Sequence, residues 1–313
     1  MPRLWRMKLL LSALAVLVAV LFWALPGARA GAGFRDDSGR ELVLTRPFTR
    51  IISLYGAHTE NLFFLGLDQE IIGVGRNEDF PSRALAKPVF DYRDGPERFI
   101  AARPDLVLVR PMILQGYQGL VDKLERAGIT VVSLQPTGVE TMLEYWLRLG
   151  ELTGREKEAR AMAGRFKDEL EGLRSKTADV PPEKRPRVFF EAIHARMKTF
   201  SPSSLAIFAL ESAGGVNVAA GARAVRGGNI AAFGKERILS HATEIDVYLA
   251  QKGPMNRVGV EDIGREPGFA AIKAVRLKRV HLIEEKLVSR PTMRLLEGIR
   301  RIGTLLYPDR FRD

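Results

Sequence analysis

From Arg50 onward the apolar positions fall in short continuous blocks rather than in strict alternation. Arg50–Leu54, Ile71–Val74, Asp105–Val109 and Ile129–Leu134 are rich in Ile, Val and Leu and are bounded by Gly, Asp or Pro. Blocks of this length predict strands buried on both faces. Between them, residues 61–67, 97–102 and 120–127 predict helices, closed by Gly66-Leu67-Asp68, by the approach to Pro104 and by Gly128. Strands separated by short helices predict parallel βαβ units. Ahead of them, Gly39–Leu44 reads as a hairpin arm before Pro47.

At Gly138 the pattern changes. Met142, Tyr145, Trp146, Leu149 and Leu152 recur at helical spacing, and no proline or strand block interrupts residues 139–175. A single helix of about 35 residues would reach roughly 50 Å, with Gly150 and Gly154 as the points where it could break. After Pro181-Pro182 and Pro186 the alternation resumes. Strands are predicted at 187–191, 246–250 and 279–283, and helices at 203–213, from Glu236, at 269–275 and at 295–306. The expected fold class is α/β: two Rossmann-like lobes, residues 31–137 and 178–313, joined by one long backbone helix over 138–177. Ligands of such lobes bind outside the carboxyl ends of the strands, so a ligand cleft is expected between them.

Composition narrows the class. The chain is 46% hydrophobic and 27% charged, an ordinary globular balance. Residues 1–30 carry a basic start (Arg3, Arg6, Lys8), an apolar run from Leu9 to Leu25 and Ala28-Arg29-Ala30, the layout of a cleavable signal peptide. The expected location is the periplasm. The chain has no cysteine, which rules out disulfides and a catalytic thiol and led to the expectation of a protein that is not a lipoprotein. The net charge is +11, four of it within residues 1–30, which leaves +7 on the mature chain. An exported protein has little contact with nucleic acid, so the basic excess suits an anionic small ligand or simple solubility.

Catalytic signatures are missing. Gly73-Val74-Gly75-Arg76-Asn77-Glu78 lacks the third glycine of a dinucleotide fingerprint, and the Gly228–Gly234-Lys235-Glu236 stretch misses the spacing and hydroxyl of a phosphate loop. No nucleophile-elbow, zincin or Ser-x-x-Lys pattern is present, so no enzyme activity is expected.

Three segments carry a resemblance. The first joins Arg50-Ile51-Ile52-Ser53-Leu54, Thr59-Glu60-Asn61-Leu62-Phe63-Phe64-Leu65-Gly66-Leu67 and Ile71–Val74; the second is Pro96–Leu108; the third is Glu211-Ser212-Ala213-Gly214-Gly215-Val216-Asn217-Val218-Ala219. In this order and spacing the chain resembles the helix-linked (class III) periplasmic binding proteins of ABC importers, the family that handles ferric siderophores, haem and cobalamin. The resemblance covers nearly all of residues 34–308. It implies a monomer when free, a metal-chelate cargo containing iron or cobalt, no cofactor of its own, and an ABC permease dimer with its ATPase as partner. It also implies that Glu97 and Glu236 dock onto the permease. A glutamate in a first helical turn can equally serve the helix dipole alone. A binding protein feeding a membrane sensor, a scavenger without transport, and a periplasmic enzyme on a two-lobed scaffold are the alternatives.

Cargo contacts are expected on loops after the strands: Tyr55, His58, Arg76, Asn77, Tyr92, Arg93, Arg110, Met112 and Tyr117 in the first lobe, and His194, Met197, Phe200, Arg226, Asn229, Arg257 and Arg290 in the second. Aromatic faces suit a flat chelate, and arginines can fork onto carboxylates or stack on rings. Tyr55 or His58 could occupy an axial position on haem iron, or Tyr55 could line the cleft while His58 caps a helix. Four scattered histidines argue against a site that holds a bare ion, and no direct metal ligand is assigned.

Overall fold

The structure is a computed structural model that describes residues 32–225 and 228–312. The expected signal segment and Arg226 lie outside the described residues. The described residues up to Arg46 form one compact unit and those from Pro47 onward another. In the first, β1 (Ala32–Arg35) and β2 (Glu41–Leu44) pair antiparallel. Asp36 shapes their turn: its Oδ1 accepts the N–H groups of Ser38 and Arg40 at 2.9 and 3.0 Å.

The second unit begins with a four-stranded parallel sheet of order β4-β3-β5-β6, formed by β3 (Ile51–Ser53), β4 (Ile71–Val74), β5 (Leu106–Val109) and β6 (Thr130–Ser133). Every residue of β5 is buried, which is why it reads as an unbroken apolar block. Helices α1 (Gly56–Phe64), α2 (Pro96–Ala102), α3 (Pro111–Gly116) and α4 (Gln118–Arg126) complete the lobe. The first starts at Gly56 rather than Asn61, because His58, Thr59, Glu60 and Asn61 are polar yet fully buried. Asp105 fixes the sheet edge by accepting the N–H groups of Thr49 and Arg50 at 3.0 and 2.8 Å, while Arg50 reaches the carbonyls of Arg103 and Ala102 at 2.8 Å. These ends of the first two sequence motifs therefore hold the fold together.

The single long rod is corrected. Residues 139–175 are two helices, α5 (Val139–Thr153) and α6 (Glu156–Ser175), separated where Gly154 adopts φ 67°. They fold back on each other: Trp146 packs edge-on against Phe166 at 5.3 Å, and a Cβ on Gly150 would stand 2.7 Å from that of Ala159. Only α6 spans, and its 20 residues reach about 30 Å. The α5 helix packs under the first lobe, where Tyr145 Oη lies 2.6 Å from His58 Nδ1. At its far end α6 meets the second lobe, with Arg174 bonded to Ser212 and stacked over Phe208.

The second lobe has a seven-stranded mixed sheet. It comprises β7 (Arg187–Ile193), β8 (Lys198–Phe200), β9 (Val216–Asn217), β10 (Arg223–Ala224), β11 (Ile230–Ala232), β12 (Val247–Lys252) and β13 (Val280–Glu284), in the order β10-β11-β8-β7-β12-β13, with β9 on the start of β7. Around it lie α7 (Leu205–Ser212), α8 (Lys235–Ser240), α9 (Val260–Arg265), α10 (Lys273–Arg276), α11 (Glu285–Val288) and α12 (Leu295–Leu306). Its core gathers Phe189, Tyr248, Phe269 and Val280. Asp246 repeats the device of Asp105, accepting the N–H of Arg187 at 2.9 Å.

Candidate ligand cleft

The carboxyl ends of both parallel strand sets face a common cleft of about 830 Å³, within the usual range for small-molecule sites. On the first lobe it is lined by residues that follow β3 (Leu54–Gly56), β4 (Gly75–Asp79), β5 (Arg110, Ile113) and β6 (Gln135), with Phe90–Arg93 beside them. The second lobe supplies Phe200, Asn229, Ile230, Gln251–Met255, Glu284–Lys286, Ser289 and Arg290.

Of the residues expected from sequence, Tyr55, Arg76, Asn77, Tyr92, Arg93, Arg110, Phe200, Asn229 and Arg290 line this cleft. Others do not. His58 is fully buried, with Nδ1 against Tyr145 Oη and Nε2 3.1 Å from the Val109 carbonyl. Since a carbonyl can only accept, Nε2 carries the proton and Nδ1 accepts from the tyrosine. Both nitrogens are engaged, so His58 is not placed to ligate a cargo metal and does not cap a helix. Tyr117 is outside the lining, its ring tilted against that of Tyr92 at 4.7 Å. The Met112 sulfur meets the Arg110 guanidinium at 3.1 Å on an otherwise exposed side chain. Met197 packs on the second lobe's core. His194 sits between Glu191, at 2.8 Å, and Glu266, at 3.7 Å, and Arg257 is exposed outside the lining.

The same rule, that loops after strands bind ligands, also covers residues the sequence reading passed over: Glu78 and Asp79 after β4, Gln135 after β6, Gln251 at the end of β12, and Glu285 and Lys286 after β13. The sequence reading favoured aromatic and basic side chains, so these went unmarked.

The charges are not equivalent. Arg76 is held by Asp91 at 2.5 Å. Arg290 bonds Glu60 at 2.8 Å and Asp79 at 3.2 Å, and Lys286 pairs with Asp79. Arg110 instead lies over the Tyr55 ring at 4.7 Å, and Arg93 over Tyr92 at 5.3 Å. Burial raises the Tyr55 phenol above its ordinary value, against the pull of Arg110 and Arg290, so at neutral pH it is a neutral phenol rather than a tyrosinate. Two carboxyls of the cleft lining, Glu78 and Glu285, keep one buried oxygen (Oε2) without a hydrogen-bond partner, as does Glu60 outside the lining. Burial pushes Glu78 up to about 7, opposed by Arg290 and a hydrogen bond with Thr59. Burial also raises Glu285, opposed by Arg290 and the Met255 backbone. For Asp79, burial works upward, but the Lys286 hydrogen bond and the charge of Arg290 outweigh it and hold the group low.

A raised carboxyl favours the fold most when protonated. The contribution of Glu78 is fully present below its unfolded value near 4.5 and is lost as pH rises through about 7. In cargo-free protein, Glu78→Gln should therefore flatten part of the stability decline from about pH 5 to about pH 8, by up to roughly 3 kcal/mol. Urea unfolding of both proteins at the two pH values measures the difference. Equal pH slopes would show that Glu78 ionises as an ordinary carboxyl.

Glu97 and Glu236 are both exposed, each in the first turn of its helix, α2 and α8. The Glu97 carboxylate curls back over Gly95, where an added Cβ would lie 2.6 Å from Oε2.

Comparison with known proteins agrees with this architecture. An ABC transporter substrate-binding lipoprotein of Bacillus subtilis (strain 168), YvrC, is 24% identical over 288 residues, covering 89% of this chain and 86% of its own. A vitamin B12-binding protein of Vibrio campbellii (strain ATCC BAA-1116) is 30% identical over 132 residues, 42% of this chain, and the match spans about half (47%) of that relative. The crystal structure of a possible iron-binding (periplasmic solute-binding) protein from Staphylococcus epidermidis ATCC 12228 superposes with a TM-score of 0.72 at 25% identity, over 84% of this chain and all (100%) of its own. One expectation falls: the Bacillus relative is a lipoprotein, so the exclusion of a lipid anchor does not stand, while an exported location does. Cysteine content limits one anchoring chemistry, and the folded lobes carry no record of how a family member is held at a membrane. Among the described residues no helix is long and apolar enough to cross one. The periplasmic binding protein family profile matches residues 51–287, from β3 to α11 and so through both lobes and the cleft between them, and the chain belongs to that family.

Proposed function

We propose that this protein captures a metal chelate in the interlobe cleft and delivers it to the permease of an ABC importer, and that the chelate is a corrinoid of the cobalamin type. The observation that carries the choice of chelate is the pair of carboxyls in the cleft lining, Glu78 and Glu285, both pushed by burial toward the neutral acid, which can donate as well as accept. Such groups suit a cargo rimmed with amides, which also donate and accept. The first-lobe wall also carries Tyr55 beneath the Arg110 guanidinium and Tyr92 beneath that of Arg93, flat cationic groups on which a macrocycle can stack. With His58 spent inside the lobe and Tyr55 a neutral phenol, neither of the two axial candidates expected from the sequence is a ready ligand for haem iron. The relationship to a vitamin B12-binding protein supports the same reading. Glu97 and Glu236 serve as the carboxylates that meet the permease.

The test is a titration of purified protein with cyanocobalamin, haemin and a ferric hydroxamate, followed by calorimetry and visible absorption. Cyanocobalamin is expected to bind with one site and at least about 100-fold tighter than haemin, a gap of about 2.7 kcal/mol. Tight haemin binding with a Soret shift, or binding of the hydroxamate alone, would replace this cargo with another.

A further inference from the structure

The geometry points to a positioning role for Arg290: with Glu60, Asp79 and Lys286 it forms an ionic brace between the lobes that sets the width of the cleft before any cargo arrives. Arg290 and Lys286 belong to the second lobe, whereas Glu60 lies on α1 and Asp79 after β4 in the first. The Arg290 Nη1 serves both Glu60 and Asp79, at 2.8 and 3.2 Å, and Nη2 stands 3.5 Å from the Asn77 carbonyl. Arg294 adds a longer contact to Glu60 at 3.7 Å. Glu60 is fully buried, so its charge depends on these arginines for compensation.

Two further features show that the arginine is seated. Gly56 opens α1 directly beneath it, and a Cβ there would stand 2.6 Å from Arg290 Nη1. The next residue is fastened as well: the Pro291 carbonyl accepts from Asn61 Nδ2 at 2.9 Å and from Trp146 Nε1 at 3.1 Å. Thus the segment between α11 and α12 is held to the first lobe by a buried amide layer and, on the cleft side, by charges. Glu78 and Glu285 also lie within electrostatic reach of Arg290. An arginine committed in this way is not available to grip an anionic cargo. It governs binding by fixing where the two walls stand.

The inference does not rest on the identity of the cargo, and its test uses none. The chain has no cysteine, so Lys123→Cys on α4 and Leu277→Cys after α10, both exposed, can carry spin labels without background. Electron–electron double resonance then reads the interlobe distance in cargo-free protein. The parent should give one narrow distribution. Arg290→Met and Asp79→Lys should each broaden it and move its mean outward by about 5 Å or more, as in hinge opening. Asp79→Glu, which keeps the charge between Arg290 and Lys286, should leave it narrow. Because Asp79 is partly exposed, the Asp79 arm stays readable if Arg290→Met fails to fold. A folded Arg290→Met or Asp79→Lys protein with the parental distribution overturns the brace.

Discussion

Trp146→Ala is expected to cost roughly 3–5 kcal/mol, the largest stability loss of any single change considered for this protein. The side chain is fully buried, packs edge-on against Phe166 and donates its indole N–H to Pro291. It therefore belongs to two parts of the fold at once: the α5–α6 turnback and the segment that crosses from the second lobe. Truncation leaves a large cavity and removes one hydrogen bond worth about 1 kcal/mol. Against a total stability of about 5–15 kcal/mol, that approaches unfolding at physiological temperature. Trp146→Phe retains most of the packing and should lose roughly 1–2 kcal/mol. Urea denaturation followed by far-ultraviolet circular dichroism separates the two. Equal losses would mean that ring packing contributes little and that the hydrogen bond dominates.

Reversing both exposed glutamates, in Glu97→Lys/Glu236→Lys, is expected to lower cargo uptake in cells at least about tenfold while leaving cargo affinity of the purified protein unchanged. Both carboxylates stand on first helical turns at the surface, one on each lobe, and neither lines the cleft. Exposed charges act mainly on encounter rate and orientation, so the single reversals should show smaller deficits that shrink at higher ionic strength. Undiminished uptake by the double variant would leave these glutamates with only the helix-dipole role, which the inward curl of Glu97 over Gly95 already allows.

Much of the fold was readable before any coordinates. The strands β3, β4, β5 and β6 are buried runs of Ile, Val and Leu, and a buried parallel strand has no polar face to disguise it. The helix over 295–306 was placed at its true ends because its apolar stripe is regular. The short antiparallel strands β8, β10 and β11 were not foreseen, since two or three residues are too few to show a period. Gly154 marked a break in the 139–175 run, but sequence alone could not say whether the chain bends slightly or folds back. That choice is made by Trp146 meeting Phe166 and by the room Gly150 leaves for Ala159.

The site divides the same way. Residue type and position after a strand sufficed to bring Tyr55, Arg76, Tyr92, Arg93 and Arg110 to the cleft, because the carboxyl ends of parallel strands are where loops converge. Sequence could not decide what each polar group is bonded to, since partners such as Glu60 and Arg290 lie 230 positions apart along the chain. Only the packed lobes turned His58 inward to Tyr145, tied Arg290 to Glu60 and Asp79, and left Glu78 and Glu285 each with a free oxygen. Local pattern is set by the chain's own periodicity, whereas the charge state and availability of a side chain are set by burial and by neighbours that only the tertiary fold brings together.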